Sequence, residues 1–322
     1  MDSITQAVLG AAIGEAVAGK KIGYKAAVVG AIVATIPDLD VLFIPFLGEL
    51  QKMSFHRGYS HSIAFCILAS FLIAIAMGKI KWVGDLSFRK AYLLSFFALF
   101  THVLLDAFTT YGTQLLLPLS DWRVSFDSIN IIDPFYTIPL LIGVAVSLYF
   151  YNFNDPKRSS PNNIGLIISS IYLLFTLANK QHIQREFYTQ LKSQNIPSYG
   201  LLTVPVKIGN MQWYGVAKDA SNLYIGKYDI LTDNEIDFHS FPINNQLLND
   251  IDPDLDRRLN WVSQGYYTVA EKDDVIRVYN MQCDMQGVRT YGDYKAPTAF
   301  YYQITPTNGS FELSTGMHME EE

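Results

Sequence analysis

Cysteine is scarce in this chain: its 322 residues include only Cys66 and Cys283, and neither belongs to a Cys-x-x-Cys pair. Cys66 falls in an apolar run and Cys283 in the polar half, so the pattern predicts no disulfide between them. We read Cys66 as filler in an apolar segment and Cys283 as a small buried hydrophobe. An excess of positive charge is also missing. Lys and Arg total 24 against 30 Asp and Glu, for a net charge of −6, and no Lys/Arg-rich tract occurs. A surface that binds nucleic-acid phosphates shows a basic excess, so nucleic acid is excluded as the main partner. Charge of either sign is sparse at 17%, while 50% of residues are apolar and the mean hydropathy is +0.15. Those values are high for a soluble protein and low for an all-membrane one, which predicts a membrane part joined to a water-soluble part.

The N-terminus lacks the marks of a cleaved secretory signal. Such a signal opens with positive charge and has an acid-free apolar core, whereas Asp2 opens this chain and Glu15 interrupts its first run. The segment is expected to be retained as a helix ending near Gly19-Lys20-Lys21. Ala7, Gly10, Ala11, Gly14 and Ala18 recur three or four apart in it, a face that admits another helix backbone closely.

Five further apolar segments follow, at about Tyr24 to Leu47, Ser62 to Met77, Ala91 to Leu117, Pro134 to Tyr151 and Ile164 to Asn179. Since a bilayer span takes about 20 apolar residues, the expected architecture is an α-helical membrane bundle of about six spans over residues 1–180. Lys20, Lys21, Lys25, Lys79, Lys81, Arg89, Lys90, Lys157 and Arg158 fall on one side of that arrangement, and only Lys52, Arg57 and Arg123 on the other. The basic side is predicted to be cytoplasmic. Both termini, the stretch from Phe55 to Ser62, and everything beyond Lys180 are then expected outside a cytoplasmic (inner) membrane.

That orientation gathers costly side chains near one face. Asp38 and Asp40 lie near the outer end of the second segment, His56 and His61 follow in Phe-His-Arg-Gly-Tyr-Ser-His-Ser, and His102 and Asp106 lie in the fourth segment. Ionisable groups at membrane depth are expensive and need a reason. Taken singly, each histidine reads as a helix-to-helix hydrogen bond. Three histidines and three aspartates on one side instead point to a shared metal site. His102 and Asp106, four apart, share a helix face. Asp38 and Asp40 follow Pro37, which disturbs helical hydrogen bonding, so carboxylates on a bent or unwound segment could bridge one or two ions. Imidazole with carboxylate suits zinc, manganese or iron better than magnesium or calcium, and zinc is the first choice because no soft sulfur or redox partner accompanies the set. His56 is expected to serve as ligand or proton carrier. Arg57 has the fork to clamp an anionic substrate, or else meets lipid headgroups, and Gly58 permits an unusual turn.

A second tier surrounds these residues. Asp2 is placed to cap the first helix or join the site, and Gln6 to bridge helices or join it. Glu15 lies deeper, toward the cytoplasmic side. The outer loop after the fourth segment carries Tyr111, Trp122, Arg123, Asp127 and Asp133, with Asp127 and Asp133 as ligand or supporting candidates.

The opening Asp-Ser-Ile-Thr-Gln, Pro37-Asp38-Leu39-Asp40, His56-Arg57-Gly58-Tyr59-Ser60-His61-Ser62, and His102 with Asp106 together resemble the YdjM-like family of membrane-bound, metal-dependent hydrolases. The resemblance covers roughly residues 1 to 150, and that family is distantly related to zinc-dependent phospholipase C. It implies phosphoester hydrolysis, with Asp38, Asp40, His56, His61, His102 and Asp106 as metal-site positions. Many relatives carry histidine where this chain has Gln6.

Beyond Lys180 a polar, helical connection from Gln181 to Ser198 leads into strand-like segments at Leu201–Ile208, Gln212–Lys218, Asn222–Tyr228, Tyr266–Glu271, Val275–Asn280 and Ala299–Thr305, with a helix expected over Asn245–Trp261. Residues 181–322 are therefore read as a small β-rich extramembrane domain whose protein partner the sequence does not name. Asp250, Asp252, Asp254 and Asp256 lack the glycine and terminal glutamate of an EF-hand and read as a solvated surface. Three classes of function remain. The leading one is a metal-dependent hydrolase acting on a phosphoester, lipid-like because the site opens at headgroup depth among membrane lipids. An ion or proton transporter is the second, and needs polar groups continuing to the cytoplasmic side, where Glu15 is the candidate. A non-catalytic anchor presenting the β-rich domain to a partner is the third.

Overall fold

The structure, a computed structural model, describes residues 1–206, 208–232, 234–249, 251–272, 275–282, 289–291, 294–298, 300–307 and 310–317. It divides into two compact units, Met1–Phe46 with Phe55–Leu177, and Leu47–Ser54 with Ala178–Glu322.

The first unit is helical. In α1 (Ser3–Ile22), Asp2 caps the N-terminus, its carboxylate accepting from the Thr5 amide at 3.0 Å, and Lys20 and Lys21 sit in the last turn where the helix dipole favours cations. Gly23, at φ 64, turns the chain into α2 (Tyr24–Ala34). The small-residue stripe of α1 lies against α2 at backbone contact. A Cβ added at Gly14 would stand 2.0 Å from Ala26 O, and one at Gly30 would stand 2.0 Å from Gly10 O. After Ala34 the α-helix tightens: the Thr35 and Ile36 amides bond three residues back, and Pro37–Phe46 forms a 3-10 helix. α3 (Glu49–Phe55) belongs almost wholly to the second unit; the first continues with a 3-10 turn at Tyr59–His61, α4 (Ile63–Met77), α5 (Phe88–Phe108), α6 (Pro134–Phe150) and the part of α7 (Ser159–Ser193) up to Leu177.

Among the described residues, Tyr24–Phe46, Phe88–Phe108 and Ser159–Ser193 are long and apolar enough to cross a membrane, and Glu49–His61 with Ile63–Met77, bent by 54°, makes a fourth if taken as one span. Other segments in the expected set of about six have shorter or more polar helices: α6 has 17 residues, and the 20 of α1 carry Glu15, Lys20 and Lys21. Leu94, Ala98, Leu99 and Val103 of α5 pack with Val33, Cys66 and Ala74 in the core, while Leu72, Ile142 and Leu174 are exposed, an inside-out apolar surface that suits lipid. Glu15, fully buried, holds Arg158 through two hydrogen bonds of 2.8 and 3.0 Å, and Asn162 donates to Ala12 O at 2.9 Å beside them.

The second unit carries two four-stranded antiparallel sheets. One has the order β1 (Gly200–Pro205), β2 (Gln212–Lys218), β3 (Asn222–Asp229), β4 (His239–Pro242). The other runs β10 (Ser310–Met317), β9 (Phe300–Thr307), β6 (Val275–Asn280), β5 (Tyr267–Lys272), and β7 (Arg289–Tyr291) pairs with β8 (Tyr294–Ala296). Phe187 of α7 fills the space above Gly215, where a Cβ would come within 2.3 Å of its ring, and packs with Ile183, Trp213, Tyr228 and Ile236. The single helix expected over Asn245–Trp261 is instead α8 (Gln246–Asn249) and α9 (Pro253–Val262), split because Asp252 caps α9 through the Asp254 amide at 2.9 Å and Pro253 starts it. Asp256 accepts from the Tyr267 hydroxyl at 2.6 Å. Asp250 and Cys283 lie outside the described residues.

Candidate metal centre

Three elements of the first unit converge. A 3-10 helix advances about 120° per residue, so Asp38 and Asp40, two apart, cannot face the same way. Asp38 turns toward α5, where His102 and Asp106 project from one face. His61, at the end of the short 3-10 turn, completes the set. Asp38, His61, His102 and Asp106 each offer one ligand atom, all within 4.8 Å of one another, and all but Asp38 are buried.

The distances carry chemical information. His61 Nε2 stands 3.3 Å from Asp38 Oδ1, 3.3 Å from His102 Nε2 and 3.4 Å from Asp106 Oδ2. His102 Nε2 stands 3.5 Å from Asp38 Oδ1 and 3.6 Å from Asp106 Oδ2. Five of the six separations are therefore 3.3 to 3.6 Å, and the sixth, between Asp38 and Asp106, is within 4.8 Å. Edges of 3.3 to 3.6 Å are those of a tetrahedron whose corners lie about 2.0 to 2.2 Å from its centre, a usual range for transition-metal bonds to nitrogen and oxygen. Asp106 Oδ2 is buried and has no hydrogen-bond donor. An acceptor in that state is costly unless a cation meets it. The donor set therefore fits a divalent ion.

The neighbours fix how each ligand is presented. Asp106 Oδ1 accepts from Gln6 Nε2 at 3.0 Å and from the Met1 amino group and forms an ion pair with Arg57 Nη2 at 3.3 Å, which leaves Oδ2 for the cluster. On the histidine side, the Ser60 hydroxyl donates to Asp40 Oδ2 at 2.7 Å, so its oxygen accepts from His61 Nδ1 at 2.9 Å. That relay puts the proton on Nδ1 and turns the Nε2 lone pair inward, as a metal-binding imidazole requires.

Asp40 and His56, read from the sequence beside the other four as metal-site positions, stand one layer out. His56 Nδ1 meets Asp40 Oδ1 at 2.8 Å, and the Arg57 amide reaches Asp40 Oδ2 at 3.3 Å. Asp40 thus ties His56 to the support of His61, with the His56 side chain 25% exposed. Arg57 directs Nη1 to Asp106 O at 3.3 Å and Thr109 Oγ1 at 2.8 Å, so most of its fork holds the C-terminal end of α5 and its carboxylate. The unusual turn expected of Gly58 falls one residue earlier: Arg57 has φ 59 and Gly58 φ −90. A left-handed residue other than glycine costs roughly 1 kcal/mol and marks a backbone held for a purpose.

Of the second tier, Gln6 joins the site by holding Asp106, and also donates to His102 O at 3.2 Å. Asp2 caps α1, Asp133 caps α6 through the Phe135 amide at 3.0 Å and accepts from Tyr172 at 2.7 Å, and Asp127 is buried at φ 44 between amides bonded to Ala107 and Phe108. None of these three is in the four-ligand cluster. Ser60 and Thr109 support the site without being among the candidate ligands read from the sequence. Ser60 carried one legible signal, since the residue before a candidate ligand histidine is well placed to set its tautomer.

A family profile described as YdjM inner membrane protein matches residues 1–183, which contain the whole cluster. YfhP of Bacillus subtilis (strain 168) is 30% identical over 234 residues, 70% of this chain and 68% of that protein. The inner membrane protein YbcI of Escherichia coli (strain K12) is 32% identical over 122 residues, 37% of this chain and 69% of that protein. No solved structure matches the chain.

Proposed function

The chain belongs to the YdjM inner membrane protein family, and from that premise we propose that it is a membrane-bound, metal-dependent hydrolase of phosphoesters. The observation that carries this reading is the set of four ligand atoms within 4.8 Å of one another, with Asp106 Oδ2 buried and without a donor. Zinc is the favoured ion because two imidazoles, two carboxylates and the spacing agree with its preferences. When bound, such an ion supplies Lewis acidity toward a phosphoryl oxygen and lowers the pKa of water toward about 7.

The chain's own groups complete the chemistry. Arg57 and Gln6 keep Asp106 aimed with one oxygen, and the Asp40–Ser60 pair keeps His61 in the metal-binding tautomer. His56, oriented through Nδ1 by Asp40 and partly open to solvent, carries the proton at Nε2 to or from the reacting oxygens. Asp38 is the exposed edge of the cluster at 23%, and Leu39, Leu42, Phe43 and Tyr59 are exposed along the same two 3-10 segments. Exposed apolar and aromatic side chains on the segments that carry the cluster favour a lipid-like ester. The charge asymmetry of the connections supports a site and a β-rich unit on the outer side, and a six-span count accords with that placement. A proton relay to the cytoplasmic side is disfavoured by the engagement of Glu15 with Arg158 through both carboxylate oxygens.

The test is a panel of phosphodiesters, an aryl ester in detergent and phosphatidylglycerol in liposomes, with metal-loaded wild type beside His102→Ala. Metal-dependent turnover lost in the variant is expected. A stoichiometrically loaded protein that turns over no phosphoester would refute the hydrolase reading.

A further inference from the structure

α3 joins the two stretches that bring Asp38 and His61 to the cluster, yet Leu47–Ser54 packs as part of the second unit. Met53, 4% exposed, shares one core with Leu248, Leu255, Leu259 and Val262, and Leu50 packs against the same core. Arg258 of α9 also donates from Nη1 to Leu50 O at 3.3 Å. A helix of seven residues is too short to hold its shape alone in water, so α3 owes its order to the core it enters.

There is little slack on either side of it. Only Leu47 and Gly48 separate α3 from the 3-10 helix that carries Asp38 and Asp40, and only His56, Arg57 and Gly58 separate it from the 3-10 turn that carries His61. Both links are pinned. The Gln51 and Lys52 amides bond to Gly48 O at 2.9 and 3.1 Å, and the Gly58 amide bonds to Phe55 O at 3.1 Å. The ends of this excursion are clasped together as well. The Phe43 and Phe55 rings meet edge to face with centroids 6.4 Å apart, and Asp40 meets His56 Nδ1 at 2.8 Å and accepts from the Arg57 amide at 3.3 Å.

We propose that α3 is a tether through which the β-rich unit positions the metal centre, with Met53 as its anchoring residue. Coupling between distant groups is carried by packed side chains and rigid elements, and here a buried anchor, a short helix and two pinned links run without a flexible break to the ligands. Releasing Met53 loosens α3 and with it the clasp at Asp40. Asp40 in turn holds Ser60, whose hydroxyl sets the His61 tautomer, and the 3-10 helix of Asp40 also fixes the angle at which Asp38 is offered. Met53 acts through α3, so it is a positioning residue. The inference rests on the metal reading of the four-residue cluster.

The experiment measures zinc affinity by chelator competition, and the visible absorption of the cobalt-loaded protein, on the full chain in detergent. Met53→Ser is expected to raise the zinc dissociation constant about 10-fold, the low end for groups that orient metal ligands, and to shift the cobalt bands, with the fold retained by circular dichroism. Met53→Leu keeps volume and apolar character and should return both readouts to wild type. Should Met53→Ser fail to fold, a short Gly/Ser insertion after Gly48 serves in its place. A Cβ added at Gly48 would meet nothing within 4 Å, so the insertion slackens the tether without disturbing the core, and the same loss is expected. An affinity within twofold of wild type with unchanged cobalt bands in a folded variant overturns the tether while leaving the metal centre standing. A wild type that takes up no metal instead removes the reading beneath it, and the tether with it.

Discussion

Replacing Gln6 with leucine removes two buried hydrogen bonds at once while nearly preserving volume. The donation to Asp106 Oδ1 at 3.0 Å goes to a charged acceptor, and that to His102 O at 3.2 Å goes to a backbone carbonyl. Bonds of the first kind contribute about 1.5 to 3 kcal/mol and of the second about 0.5 to 1.5 kcal/mol. Asp106 Oδ1 keeps Arg57 and the Met1 amino group as cationic partners, so the loss is one of aim rather than of ligand. Groups that orient metal ligands in this way typically govern 10- to 100-fold in metal affinity. The expected result for Gln6→Leu is therefore a zinc dissociation constant about 10 to 100 times the wild-type value, measured by competition with a chromogenic chelator in detergent. The protein should still saturate with one equivalent per cluster at high zinc. A variant with wild-type affinity would refute the claim that Gln6 fixes the ligand geometry, and a variant that never saturates would make Gln6 itself a ligand.

Three further outcomes follow from the packing. Glu15→Gln leaves Arg158 charged and buried without its carboxylate, so a loss of about 3 to 5 kcal/mol is expected in detergent unfolding, with Glu15→Leu/Arg158→Leu recovering much of it; equal losses in the single and double variants would contradict the ion-pair account. Gly30→Ala sets a methyl 2.0 Å from Gly10 O, forcing α1 and α2 apart at a cost of about 1 to 3 kcal/mol, and an unchanged melting temperature would mean the helices do not meet there. Burial, and behind it the hydrogen bond to Asp256, pushes the Tyr267 hydroxyl pKa up. The fold then favours the neutral form, so this contribution is fully present below the unfolded value of about 10 and fades as pH rises above it. Urea midpoints should fall less steeply above that pH in Tyr267→Phe than in wild type, and parallel curves would show that Tyr267 contributes nothing to the alkaline loss.

Much of this architecture was legible from residue spacing. The interval between His102 and Asp106 dictated one face of α5, and the small-residue recurrence from Ala7 to Ala18 dictated a close helix contact, because both depend only on helical geometry. β2 and β6 coincide with their expected bounds, since β-branched and aromatic runs closed by Gly, Asn or Asp are local signals. The parting of Asp38 from Asp40 was also available, because residues two apart face different ways on any helix; reading both as ligands overlooked that phase. Other features were out of reach. The left-handed backbone at Arg57 and the Ser60 relay depend on where Asp40 and Thr109 lie, residues distant along the chain. β4, β7, β8 and β10 are strands defined by their partners more than by their own composition.

The central claim is that Asp38, His61, His102 and Asp106 hold one divalent ion. Elemental analysis of the full chain, extracted gently without chelator, tests it most directly when wild type is set beside His102→Ala and Asp38→Ala. The account predicts about one equivalent of zinc or a similar transition metal in wild type and a large loss in both variants, with melting curves showing that the variants are folded. A folded wild type free of stoichiometric metal, or variants that retain the full wild-type content, would contradict it.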